Sequence, residues 1–124
     1  MAAILLVGHL APLLRDRERV LRKAGHDVIA LTVGKDHLRH ATQRDFDVVI
    51  IGHAVPERQR QRLLQSVKSR SPQAAIVLFY RGSIQNAELA DAILNADGKY
   101  KDLLFTVEHL LSRRGEKIAA RNSA

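Results

Sequence analysis

Cysteine and tryptophan are absent from this chain. Without cysteine there is no disulfide, no thiolate zinc site and no cysteine nucleophile, a pattern that fits a cytoplasmic protein. Aromatic residues are scarce, with three Phe and two Tyr, so little stacking surface is offered to single-stranded nucleic acid. Long apolar runs are also missing. Met1–Val7 lacks the basic start of a signal peptide and falls far short of the roughly 20 residues needed to span a bilayer. The glycines form neither G-x-G-x-x-G nor a P-loop ending in lysine, so nucleotide binding is not expected. Only three prolines occur, Pro12, Pro56 and Pro72, and each falls where a helix is expected to open or close.

Positive charge is what the chain has in excess. Its formal net charge is +7 and its pI is near 10.4. An anionic partner or a basic domain with solvated helix faces would each account for this. The basic residues gather on two expected helices. Arg15, Arg17, Arg19, Arg22 and Lys23 lie on one, and Arg58, Arg60, Arg62, Lys68 and Arg70 on another.

The apolar pattern alternates in kind along the chain. Ala3–Val7 reads as a strand, followed by a loop at Gly8-His9-Leu10-Ala11. Pro12 suits a helix start. Leu13, Leu14, Val20, Leu21 and Ala24 recur at helical spacing up to Gly25. Asp27–Thr32 is a second strand, and Lys35–Arg44 a weaker helix with Leu38, Ala41 and Thr42 on its inner face. Val48-Val49-Ile50-Ile51 reads as a strand buried on both faces. Gly52 ends it, and Pro56 opens a helix over Glu57–Arg70 with Leu63, Leu64 and Val67 inward. Ala74–Tyr80 is a fourth strand. Asn86–Asp91 allows one or two helical turns, and Ala92-Ile93-Leu94 is a short fifth strand. Leu103, Leu104, Val107, Leu110 and Leu111 mark a last helix expected to end before Gly115, leaving a polar tail over 116–124 and a single domain over 1–115.

Strands alternating with helices imply parallel pairing, and continuously apolar strands imply cover on both faces. The expectation is a three-layer α/β sandwich around a five-stranded parallel sheet. No internal repeat, low-complexity segment or interdomain linker interrupts it.

In order and spacing the chain resembles the receiver domain of bacterial response regulators, from about Ile4 to Arg114. Ile4-Leu5-Leu6-Val7 is similar to that family's first strand. Val20-Leu21-Arg22-Lys23-Ala24-Gly25-His26-Asp27-Val28 resembles the passage from its first helix to its second strand. Asp47–Pro56 resembles its third strand and following loop, Ala90-Asp91-Ala92-Ile93-Leu94-Asn95 its fifth strand, and Leu103-Leu104 the start of its last helix. The resemblance implies a flavodoxin-like strand order of 2-1-3-4-5.

Receiver chemistry uses two acidic residues that hold Mg²⁺ through oxygen ligands, an aspartate that takes the phosphoryl group, and a hydroxyl and a lysine on its oxygens. Here the resemblance puts Gly8 and His9 at the acid pair, Gly52 at the phosphoacceptor, Phe79 near the hydroxyl and Ala96, with Asp97, at the lysine and its following proline. Ser83 leaves the hydroxyl register open. A degenerate phosphorylation site without metal or other cofactor is therefore expected. In receivers the face of the fourth helix, fifth strand and fifth helix commonly docks partners. Leu89, Ile93 and Lys101 are the corresponding candidates.

His9 and His53 follow neighbouring strands. Two imidazoles at one crevice are weak candidates for a transition metal or an acid/base pair, with no third ligand evident. The expected function is an atypical stand-alone receiver in bacterial two-component-type signalling, cytoplasmic, without enzymatic activity. It would act as an interaction module that binds a protein partner or itself. The alternatives are a basic nucleic-acid-associated adaptor and a small metal- or histidine-dependent enzyme.

Overall fold

The structure is a computed structural model and describes residues 2–34, 39, 43–83 and 87–123, with side chains other than those of Ala87 and 114–123. The elements are β1 (Ala3–Gly8), α1 (Ala11–Lys23), β2 (Asp27–Thr32), β3 (Val48–Ile51), α2 (Glu57–Arg70), β4 (Ala75–Tyr80), a 3₁₀ turn (Ala87–Leu89), β5 (Ala92–Asn95) and α3 (Tyr100–Ser123). All strand pairs are parallel and the order is β2-β1-β3-β4-β5. The expected three-layer sheet and its 2-1-3-4-5 order are both observed. Most of the weaker helix expected over 35–44 lies outside the described residues.

Successive strand residues point to opposite faces, so each apolar run is shared between two cores. Ile4, Leu6, Val48, Ile50, Val77 and Phe79 pack with Leu14 and Leu21 of α1 and Leu103 and Val107 of α3. Leu5, Val7, Val49, Ile51, Ile76 and Leu78 pack with Leu63, Leu64 and Val67 of α2. This two-sided cover is why the strands are apolar throughout rather than alternating.

Carboxylates pin the amino edge of the sheet. Asp47 N–H donates to the Ala3 carbonyl at 2.8 Å, and Ala3 N–H donates to Asp47 Oδ2 at 2.8 Å. Asp91 repeats the pattern with Ile76, at 2.8 and 2.7 Å. Buried His26 joins the same edge to the last helix. Its Nδ1 accepts from Ala2 N–H at 3.3 Å, so its Nε2 carries the proton and donates to Glu108 Oε1 at 3.0 Å. Gly25 ends α1 at φ +95°, a backbone region that glycine enters without a side-chain penalty.

The last helix departs from expectation. It runs unbroken through Gly115 to Ser123 and crosses the expected 115/116 boundary. One interior glycine costs only about 1 kcal/mol relative to alanine, and the Glu116, Lys117, Ala119 and Ala120 that follow favour helix. The turns expected over Asn86–Asp91 reduce to the 3₁₀ turn Ala87–Leu89, Asn86 lying outside the described residues. Among the described residues, no helix is long and apolar enough to cross a membrane.

A candidate functional site at the carboxyl edge

In an open parallel sheet, functional groups gather beyond the carboxyl ends of the strands. Here β1 delivers Gly8 and His9, β3 delivers Gly52 and His53, β4 delivers Phe79, and β5 leads to Ala96. The two glycines let adjacent loops close up. Gly52 N–H donates to the Val7 carbonyl at 2.8 Å. A Cβ on Gly52 would stand 3.5 Å from Gly8 Cα and 3.6 Å from a guanidinium nitrogen of Arg17.

Arg17 is the residue that composition and motif reasoning misplaced. Expected on a solvated basic row, it is instead 4% exposed. Its Cζ lies 3.5 Å from the centroid of the Phe79 ring. The helical stripe explains the burial, since Leu14, Arg17 and Leu21 share one face at spacings of three and four. No carboxylate pairs with it among the described residues. Burial therefore lowers its pKa to about 10, partly opposed by Tyr100. The edge thus holds a desolvated cation above Gly52.

The structure brings His9 and His53 to one small cavity of about 10 Å³, together with Gly8, Leu14, Arg17 and Gly52. The two differ in setting. His9 is exposed. His53 is half-buried, and its Nδ1 is buried with no hydrogen-bond partner among the described residues. Its pKa is lowered by burial first, then by the nearby charges of Arg81 and Arg17, with Asp97 opposing. The nearby positive charges work against a bound cation, and the lowered pKa makes the ring a poorer proton donor near neutral pH. Among the described residues, no group of three or more His, Asp or Glu side chains is placed to hold a metal ion.

A larger cleft of about 330 Å³ opens beside Arg17, between α1 and the start of α3. Leu13, Phe79 and Leu103 form apolar wall, while Asp97, Lys99 and Tyr100 supply polar groups. Ala96 is buried at its base, with its N–H donating to the Tyr80 carbonyl at 2.7 Å. Asp97 pairs with Arg81 at 2.7 Å. The Tyr100 hydroxyl donates to Asp16 Oδ2 at 3.2 Å, and its pKa is raised by burial and by Asp16. Ser83 is exposed.

The candidate partner residues are solvent-accessible. Leu89 and Ile93 are exposed, as is Lys101. They do not all share one face. Leu94 packs on the α1/α3 side, so Ile93 lies on the α2 side of edge strand β5, and Leu89 lines a cleft with Gln61, Leu64 and Lys68 of α2. Lys101 belongs to α3. Among the described residues the most exposed large apolar one is Phe105, at 73%, stacked on His109 with centroids 6.2 Å apart.

The basic rows are thinner than the sequence suggests. Arg60, like Arg17, is buried, because it shares the stripe of Leu63, Leu64 and Val67. Arg22 pairs with Glu18 and Arg70 with Asp45.

The fold is a doubly wound parallel sheet of order 2-1-3-4-5. Solved structures of similar shape include response-regulator receiver domains. A receiver domain protein from Methanospirillum hungatei matches with a TM-score of 0.83 at 18% identity, over 94% of this chain and 98% of that one. The receiver domain of a sensor histidine kinase from Pseudomonas aeruginosa, with magnesium ion coordinated in its active site cleft, matches with a TM-score of 0.76 at 16% identity, over 90% and 98%. A protein from Rhodopirellula baltica described as an adenylate cyclase matches with a TM-score of 0.78 at 17% identity, over 97% and 94%. At such identities the likeness establishes the receiver fold. No family model and no curated protein matches the chain.

Proposed function

We propose that the chain is a receiver-fold protein-interaction module of bacterial two-component-type signalling that is not phosphorylated on aspartate. The observation that carries the reading is the Arg17 guanidinium, which comes within 3.6 Å of the position of a Gly52 Cβ. Receiver chemistry needs a carboxylate and a divalent cation at that point. Glycine offers no oxygen nucleophile, and a buried cation repels a second one. Gly8 and His9 supply no hard anionic ligands for Mg²⁺, and Phe79 and Ala96 supply neither hydroxyl nor ammonium. The module would be cytoplasmic and without enzymatic activity.

Docking would use apolar side chains left in solvent. Leu89 and Ile93 flank the edge strand, and Phe105 projects from α3. Exposed apolar groups of this kind often mark interaction surfaces. The partner would be another protein or a second copy of the chain.

Incubation with acetyl phosphate and Mg²⁺, followed by intact-mass measurement, is expected to leave the mass unchanged. A gain of one phosphoryl group, labile to hydroxylamine, would overturn the reading. Affinity capture from a bacterial lysate with and without nuclease then separates partner classes. Recovery of protein that survives nuclease supports the module, and recovery lost with nuclease favours a nucleic-acid adaptor.

A further inference from the structure

Arg17 has the geometry of an anion-binding group. Its guanidinium carries five N–H donors in a planar fork that matches carboxylate geometry. One face of the fork rests on Phe79, the side chain is 4% exposed, and no carboxylate pairs with it among the described residues. A guanidinium held in place against a ring and largely screened from water makes stronger charge-assisted bonds to a carboxylate that reaches its fork.

The cleft beside Arg17 states what that acceptor should carry. Its volume of about 330 Å³ is near the lower end for small-molecule sites, which run from roughly 300 to 1,000 Å³. Leu13, Phe79 and Leu103 would cover an apolar body, and Lys99 adds a second cation at the rim. Asp97 stands in the same cleft, in a pair with Arg81. Its carboxylate disfavours a multiply charged phosphate and leaves a single negative charge as the better match. His53, whose Nδ1 is buried without a hydrogen-bond partner among the described residues, lines the small neighbouring cavity that Arg17 also lines.

We propose that the cleft between α1 and the start of α3 binds a small organic monocarboxylate, with its carboxylate on Arg17 and an aromatic or branched apolar body against Leu13, Phe79 and Leu103. Such a ligand would give the module an input where receivers use phosphate. This input role rests on the proposed function, whereas the binding itself does not.

Benzoate is the probe. It is titrated into the full chain and followed by ¹H–¹⁵N spectra that include the arginine Nε–H resonances. Saturable shifts at Arg17 and at backbone amides of 96–103 are expected, with weaker binding of benzyl alcohol and inorganic phosphate. Losing the charge-assisted bonds in Arg17→Met should weaken binding roughly ten-fold or more. Lys99→Gln, at an exposed position, should weaken it by a smaller factor and serves if Arg17→Met does not fold. Absence of saturable shifts, affinity unchanged in both variants, or phosphate binding as tightly as benzoate would overturn the proposal. Failure of the proposed function has a separate readout, the phosphoryl mass gain.

Discussion

Arg17 of α1 and Phe79 of β4 meet guanidinium to ring, 3.5 Å from Cζ to centroid. The contact places a helix cation directly over the carboxyl end of β4, where a receiver's phosphoryl oxygens would be handled. A desolvated cation–π contact is worth about 2 kcal/mol, which is less than the desolvation it accompanies.

That imbalance gives a stability prediction. Burial lowers the folded pKa of Arg17 to about 10, well below the ordinary arginine value, so it binds its proton less tightly when folded. The resulting penalty is fully present below pH 10 and is relieved only as pH climbs through and beyond 10. The shift corresponds to about 3 kcal/mol, offset by the ring contact. Arg17→Met, which keeps a sulfur contact to the ring, is expected to raise the unfolding free energy by about 1 kcal/mol in urea titrations at neutral pH. A loss of that size instead would mean that the guanidinium is held by more than Phe79.

The two glycines should answer differently to alanine. A Cβ on Gly8 would come within 3.1 Å of Leu14 Cδ1, whereas one on Gly52 meets nothing nearer than 3.5 Å. Neither glycine has a positive φ. Gly8→Ala is expected to cost about 1 kcal/mol through overpacking. Gly52→Ala is expected to be neutral or stabilising by up to about 1 kcal/mol through the unfolded chain. Paired urea melts decide it; equal effects would remove the distinction.

His53 predicts a pH dependence. Its folded pKa lies below the ordinary 6.5 because of burial, Arg81 and Arg17. The unfolded chain therefore takes up the proton first as pH falls. The stability associated with neutral His53 is complete above pH 6.5 and is lost as pH drops from there through the lowered value. His53→Asn should flatten this slope in urea midpoints measured across that window. Arg81→Gln should move the His53 titration in NMR back towards 6.5.

Phe105 tests the docking surface. Removing so exposed a side chain should change stability by no more than about 0.5 kcal/mol. Phe105→Ser is therefore expected to melt like the parent while recovering less partner in affinity capture. Equal recovery would remove α3 from the surface.

Much of this architecture was legible in the sequence, because the central strands β1, β3 and β4 are continuous apolar runs and β1 and β3 end at glycine. The site was legible only in part. The resemblance singles out Gly8, Gly52, Phe79 and Ala96 at the carboxyl edge, and no motif points to the Arg17 that lies beside Gly52 and Phe79. The signal for Arg17 was its spacing from Leu14 and Leu21, and for Arg60 its spacing from Leu63. At both positions helical phase outweighs charge. The end of α3 differs from expectation for a related reason: Gly115 interrupts the apolar pattern, while the helix formers after it carry the chain on.

The His26 ring has one further consequence. Because its Nδ1 is occupied by Ala2 and its Nε2 by Glu108, a displacement of α3 cannot leave the imidazole undisturbed. The Ala2 amide would register that motion as faster solvent exchange. A single backbone hydrogen at the opening of the first strand is thereby a gauge for whatever presses on the last helix.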